Sequence, residues 1–161
     1  MIIEQAFVKT DNLLNIEEII LSRLINPPDP PGQQPEVGLP NSYDVSLAGD
    51  EKRKVAVSEV VNGWVSIIES KEVNDYKMLL NISKSLTTEV YAIMLYDTTG
   101  SYGFCLMING KVVESRFSEE DDEMLEQIHY LINTKDISLP ICKFSHVASR
   151  QIAGWKLLRN K

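Results

Sequence analysis

Two Asn-Gly pairs are the feature that most limits the folds open to this chain. Asn62-Gly63 and Asn109-Gly110 each lie between runs of β-branched and aromatic residues. A two-residue type I′ hairpin needs positive φ at both central residues, and Asn-Gly tolerates that conformation well. The two turns therefore predict two β-hairpins, one on each side of a helix that Asn74 can cap.

The segment 55–117 reads as a hairpin, a helix and a three-stranded meander, and it is flanked by further elements. Within it we predict strands over 55–61, 64–68, 89–96, 102–108 and 111–117, and a helix over 74–86. Before it, a short β-like run at 2–8 precedes an amphipathic helix at 13–24. After it, Ser118 to Asp121 resembles a capping box that opens another helix.

These elements predict an α+β fold. We expect a mainly antiparallel sheet of about five strands, with helices on one face and the 74–86 helix as a crossover connection. The 161 residues suit a single domain, 1–161, and 43% hydrophobic with 24% charged residues is typical of a globular protein. The sequence does not decide the secondary structure of the C-terminal tail. Residues 141–147 read as a strand, and 148–158 as either a helix or a loop before a strand at 155–158.

An irregular segment at about 26–52 holds six of the seven prolines. Proline lacks a backbone donor and clashes in helices, so this segment cannot form a helix or enter a sheet interior. A short edge strand at 42–47 is its one regular candidate. Loops of this length inside a domain are functional or partly disordered. One interpretation is a lid over a site with Tyr43, Asp44 or His146 nearby.

Net charge limits the partners that the chain can bind. A formal charge of −7 argues against nucleic-acid binding and favours a basic protein partner. No apolar run approaches the ~20 residues that span a membrane, and Met1 to Glu4 lacks the basic start of a signal peptide. We therefore expect a cytoplasmic protein in which Cys105 and Cys142 are buried, reduced thiols.

The sequence contains no recognisable catalytic or metal-binding motif. His129 and His146 fall in no metal-ligand spacing, and no glycine-rich phosphate loop or Gly-x-Ser-x-Gly elbow is present. Cys142 and His146 are four residues apart, but Pro140 argues against the helix that would bring them together. We therefore predict no catalytic residues, no metal and no cofactor.

Candidate partner-binding residues come from a charge run and from aromatic side chains. The acids at the start of the third long helix complement its dipole and can also dock a basic partner. Aromatic residues on neighbouring strands can contact a partner if one sheet face is bare. The candidates are Glu119, Glu120, Asp121, Asp122, Glu123, Tyr91 and Tyr102.

These observations favour a non-catalytic, acidic protein-binding module with a regulatory or immunity-like role. In type it is similar to small acidic bacterial immunity proteins, which neutralise basic toxin nucleases, although no residue motif carries this similarity. The alternative is a small enzyme or ligand-binding domain with its site under the 26–52 loop. A third possibility is a structural subunit whose sheet edge pairs with its own copy, so both a monomer and a homodimer stay open.

Overall fold

The chain folds around one antiparallel sheet of seven strands. The computed structural model describes residues 2–26, 29–149 and 153–159. The strands are β1 Ile2–Lys9, β2 Lys54–Ser58, β3 Trp64–Glu69, β4 Glu89–Tyr96, β5 Ser101–Ile108, β6 Lys111–Ser118 and β7 Trp155–Arg159. Their spatial order is β6-β5-β4-β1-β3-β2-β7. The predicted α+β class is confirmed, but the sheet has seven strands rather than about five.

Within the part of the chain that the structure describes, five helices accompany the sheet. They are α1 Leu13–Ile25, α2 Tyr43–Ser46, α3 Tyr76–Ser85, α4 Asp122–Thr134 and α5 Phe144–Ala148. The side chain of Asn12 accepts a hydrogen bond from the amide of Asn15 and so caps α1. In α3, Asp75 plays this part through the amide of Met78, one residue after the predicted cap Asn74.

Both Asn-Gly turns form as the sequence predicts. In the β2–β3 connection φ is +52° at Asn62 and +79° at Gly63, and the β5–β6 turn has +53° at Asn109 and +79° at Gly110. Positive φ at both central residues matches the right-handed twist of the paired strands. These turns fix the hairpin and the meander locally, independently of the strand that joins them.

That joining strand is β1, which lies at the centre of the sheet. Ala6 pairs with Ile67 of β3 on one side and with Ala92 of β4 on the other, and both pairings are antiparallel. As a result β3 and β4 point the same way but never touch, and α3 carries the chain across β1. The expected crossover through the 74–86 region is present, without a parallel strand pair.

Helices cover both faces of the described sheet, so the prediction of one covered face is wrong. On one side α1 and α3 bury residues such as Ile20 and Ile82 in the main core. On the other side α4 packs Ile128 onto β4 and β5, and α5 packs Val147 onto β2 and β3. Accordingly, β1 and β4 are buried at nearly every position, as expected of strands that lie between two helical layers.

The structure corrects several boundaries. Ser118 ends β6, and Asp121 caps α4 through the amide of Glu123, so the capping box does not form. The run predicted as an edge strand at 42–47 contains the short helix α2, and the run at 141–147 contains the start of α5. The strand alternative at 155–158 is confirmed as β7.

The proline-rich segment packs against the sheet as part of the core. Pro27 and Pro28 lie outside the described residues. From residue 29 the chain crosses the α1/α3 face, where Val37 and Leu39 join the main core. A Cβ placed on Gly103 would lie 2.7 Å from Leu39 Cδ2, so this glycine lets the segment approach β5 closely. The segment therefore completes a helical layer that α1 and α3 leave open.

Candidate functional site

A buried ionic network ties the proline-rich segment to the sheet. Asp75 Oδ2 lies 2.7 Å from Arg53 Nη2 and 2.9 Å from Arg23 Nε. Arg53, just before β2, also forms a two-pronged ion pair with Glu69 at the end of β3, and one prong, from Nε to Oε2, measures 2.9 Å. The network thus joins α1, β2, β3 and α3 through the buried carboxylates of Asp75 and Glu69.

Residues of the proline-rich segment also bond to this network. Asp29 Oδ2 accepts a hydrogen bond from Arg23 Nη2 at 2.8 Å, and Gln34 Nε2 donates to Asp75 Oδ1 at 2.8 Å. The buried ring of Tyr43 lies 5.8 Å from the Arg23 guanidinium carbon and 5.9 Å from that of Arg53. Cation–π contacts of this kind strengthen when they are removed from water.

The electrostatics of the network indicate a structural role. Burial raises the pKa of the Asp75 carboxyl, but hydrogen bonds from Arg23 and the charge of Arg53 outweigh it and lower that pKa overall. The pKa of Asp29 is lowered by its hydrogen bond with Arg23. Asp75 and Asp29, held ionised against arginines, are poor proton carriers at neutral pH, whereas burial raises the pKa of Glu69 to about 7 despite its ion pair with Arg53. The network anchors the segment, and Asp44 stays exposed at its edge, where it accepts a bond from the Gly32 amide.

The opposite sheet face carries a cleft of about 330 Å³ between α4, α5 and the ends of β1 and β4. Aliphatic and thiol side chains line it together with titratable side chains. The aliphatic and thiol lining residues are Ile3, Leu95, Leu125, Ile141 and Cys142, and the titratable lining residues are Asp97, His129, Lys143 and His146. An apolar pocket with a few convergent polar groups is the usual form of a binding site.

Cys142 and His146 share this cleft, but they do not form an activated pair. Burial raises the pKa of the Cys142 thiol to about 11, so it is protonated at neutral pH and weakly nucleophilic. The Cys142 amide donates to Gln5 Oε1 at 3.1 Å, and Gln5 Nε2 donates to the carbonyl of Pro140 at 3.0 Å. These bonds hold the wall of the cleft in place.

The acids at the start of α4 adjoin the cleft. Asp122, Leu125 and His129 are spaced so that they share one face of the helix. Asp97, which lines the cleft, accepts a bond from the Tyr102 hydroxyl at 3.3 Å, and the charge of Asp122 also acts on that hydroxyl. Negative charge therefore borders the cleft from both α4 and the β4–β5 turn.

The predicted partner-binding residues divide into two groups. The exposed acids are Glu119, Glu120, Asp122 and Glu123, whereas Asp121 is used as the cap of α4. Tyr91 and Tyr102 are buried, since α4 covers that sheet face, and the Tyr91 hydroxyl donates to the Ile128 carbonyl. We therefore leave these two tyrosines out of the candidate surface. His146 lies on the opposite sheet face from the proline-rich segment and not beneath it.

Sequence reasoning missed both the ionic network and the cleft. The side-chain partners of Asp75 come from positions 23, 34 and 53, and no local spacing indicates that they meet. The cleft similarly draws its residues from six separate parts of the chain: β1, β4, the β4–β5 turn, α4, the α4–α5 connection and α5. One signal was available, because an apolar stripe on α4 that includes Leu125 predicts that some surface must lie against it.

A second concavity lies between α1 and α3, with a volume of about 540 Å³. Its lining is more polar than that of the cleft and includes Glu18, Ser22, Asn26, Lys77 and Asn81. Arg23 also borders it, but this side chain is already bound to Asp29 and Asp75. The groove therefore offers amide and hydroxyl groups more than free charge.

Comparison with known proteins gives no match: no family model, no curated protein and no solved structure matches this chain. Over residues 2–26, 29–149 and 153–159, no helix is long and apolar enough to cross a membrane. Within those same residues, no group of three or more His, Cys, Asp or Glu side chains is placed to hold a metal ion.

The network predicts a large loss of stability when Asp75 is removed. In Asp75→Ala, the buried guanidinium of Arg53 and the partly buried one of Arg23 lose a shared partner, and we expect the free energy of unfolding to fall by about 3–5 kcal/mol. Asp44→Ala, an exposed acid of the same segment, is the matched control and should cost under about 1 kcal/mol. Urea denaturation measures both, and equal losses in the two variants would contradict the assigned role.

A buried carboxylate on β1 predicts how stability depends on pH. Burial raises the pKa of Glu4 from 4.5 to about 7, partly offset by hydrogen bonds from the Tyr96 hydroxyl and the Asn74 amide. The folded state therefore binds more protons than the unfolded state between these values. The contribution of Glu4 to stability should fall by about 3 kcal/mol as pH rises from about 4.5 to 7, and Glu69, whose pKa burial also raises to about 7, should add to the slope.

Denaturation of Glu4→Gln across this pH range tests the prediction. The variant cannot titrate at position 4, so its stability should depend less steeply on pH than that of the wild type. Glu18→Gln, which changes an exposed glutamate, should keep the wild-type slope. Identical slopes in all three proteins would show that Glu4 titrates normally in the folded state.

Proposed function

We propose that this protein is a non-catalytic binding module for a basic polypeptide. The acids at the start of α4 recognise basic side chains, and the neighbouring cleft accepts one large apolar side chain. The observation that carries the proposal is that an apolar cleft and an exposed acidic surface lie side by side. Asp97 lines the cleft, Asp122 lies at the start of α4, and the charges of both act on the Tyr102 hydroxyl between them. Binding would be of the regulatory or immunity-like type, in which occupying the partner is itself the function.

The proposed site combines a pocket for an apolar anchor with a charged rim. Apolar anchors that fill a pocket contribute most of the affinity in protein interfaces. Charges around the rim accelerate association and reject partners of the same sign, and this contribution weakens with salt. A cleft of 330 Å³ falls at the small end of the range of about 300–1,000 Å³ for ligand pockets, which suits one side chain.

The chemistry of the cleft supports binding over catalysis. The buried thiol of Cys142 has a raised pKa, which opposes its use as a nucleophile. The same proposal assigns the protein to the cytoplasm, where Cys105 and Cys142, both free and buried, stay reduced.

A second candidate function is the binding of a small polar ligand between α1 and α3. It is favoured by the 540 Å³ groove beside the proline-rich segment, lined by amide and hydroxyl side chains. Ser22→Trp would fill this groove without touching the cleft on the opposite face. If a ligand binds the wild type but not Ser22→Trp, this groove is favoured as the binding site. If Ser22→Trp still binds that ligand, the cleft is favoured.

Selection from a random peptide library on the immobilised protein tests the main proposal. Enriched peptides should contain lysine or arginine residues around one large apolar residue. Their affinity should fall at least about tenfold in Asp122→Lys/Glu123→Lys. The matched control Glu36→Lys/Glu51→Lys changes net charge equally at exposed acids outside the cleft and should bind like the wild type.

Three outcomes would contradict the proposal. The library could give no enriched sequence, the enriched peptides could lack basic residues, or the two double variants could bind them equally well. Replacing the apolar residue of an enriched peptide by alanine separates the two parts of the site. If the cleft holds that residue, the alanine peptide should bind about tenfold or more weakly even at low salt.

A further inference from the structure

The edge strand β6 carries a sequence that is charge-complementary to itself. Strands β6 and β7 are the edges of the sheet, and edge strands present unpaired backbone groups to other chains. In β6 the residues Glu114 and Arg116 flank Ser115, and Val113 and Phe117 flank that trio. Turning the strand by 180° about Ser115 therefore exchanges an acid for a base.

The two charges lie on the free surface of the strand. The Glu114 side chain is 44% exposed and the Arg116 side chain 55% exposed, and Arg116 Nε lies 3.6 Å from Glu114 Oε1. A surface contact of this length between exposed side chains contributes little to folding. Both groups thus remain available for a partner strand.

We propose that β6 pairs antiparallel with β6 of a second copy of this chain, with Ser115 opposite Ser115. In that register Glu114 faces Arg116 of the second copy, and Arg116 faces its Glu114, which gives two cross-strand ion pairs. Val113 and Phe117 also come opposite each other. Opposite charges placed directly across an antiparallel pair stabilise it, and like charges destabilise it.

Neighbouring registers lack this complementarity. A pairing centred on Arg116 sets two guanidinium groups against each other, and one centred on Glu114 sets two carboxylates against each other. These two registers shift the pairing by two residues, whereas a shift by one residue would set side chains from opposite faces of the sheet across from each other. The other edge, β7, contains Lys156 and Arg159 but no acid, so two copies of it cannot form a cross-strand ion pair.

The ends of the contact are also set by the structure. The β5–β6 register shifts between Leu106 and Met107, which leaves Val113 as an extra, exposed residue. Such a bulge bends the strand, so regular pairing stops there and the paired stretch is short. Arg116 Nη1 donates to Gln127 Oε1 of α4 at 3.3 Å, so the edge continues onto that helix. Tyr130, exposed and one turn further along, adds apolar area on the same side.

Sedimentation across a concentration series tests this pairing by charge exchange. The wild type should dimerise reversibly, and Glu114→Arg or Arg116→Glu alone should weaken dimerisation at least about tenfold, because each opposes like charges. The double variant Glu114→Arg/Arg116→Glu restores opposite charges in the same register and should recover the wild-type dimer. Arg159→Glu on β7 is the control and should leave dimerisation unchanged.

Other outcomes would overturn the proposal. A wild type that is monomeric up to about 1 mM would do so, and so would a double variant no better than the single ones. Circular dichroism checks folding, and Glu114→Gln with Arg116→Gln provides milder versions if a reversal unfolds the chain. None of these substitutions touches the cleft, so peptide binding there should persist whether or not the dimer forms.

Discussion

The shared carboxylate of Asp75 is the interaction on which this structure depends most. It caps α3 and binds the guanidinium groups of Arg23 and Arg53, which come from α1 and from the approach to β2. A buried charge is tolerated only when it is paired and hydrogen-bonded, so these elements must assemble together. Gln34 and Tyr43 also bond to this network, so the proline-rich segment must assemble together with the same elements.

This constraint decides which parts of the surface are free for function. Because the proline-rich segment completes the α1/α3 layer, its long irregular backbone serves packing. Helices α4 and α5 cover the other face less completely, and the gap between them becomes the cleft. The proposed partner site and the β6 edge both lie away from the ionic network.

The sequence predicts local features well, but it predicts contacts between distant segments of the chain poorly. Asn62-Gly63 and Asn109-Gly110 specify their turns because the needed φ values belong to those residues themselves. The central position of β1 and the partners of Asp75 depend on which segments meet, and nothing local encodes that. The bare sheet face was mispredicted for a related reason, because burial on both sides shows only as missing polar alternation in β1 and β4.

Native-state hydrogen exchange of the proline-rich segment tests the central claim most directly. If residues 29–52 belong to the core, the Leu47 amide, bonded to the Tyr43 carbonyl at 2.7 Å, should exchange through nearly global unfolding. Its opening free energy should then lie within about 2 kcal/mol of the values for β1 amides. An opening free energy near zero for Leu47, beside a protected β1, would contradict the account and return the segment to the role of a lid.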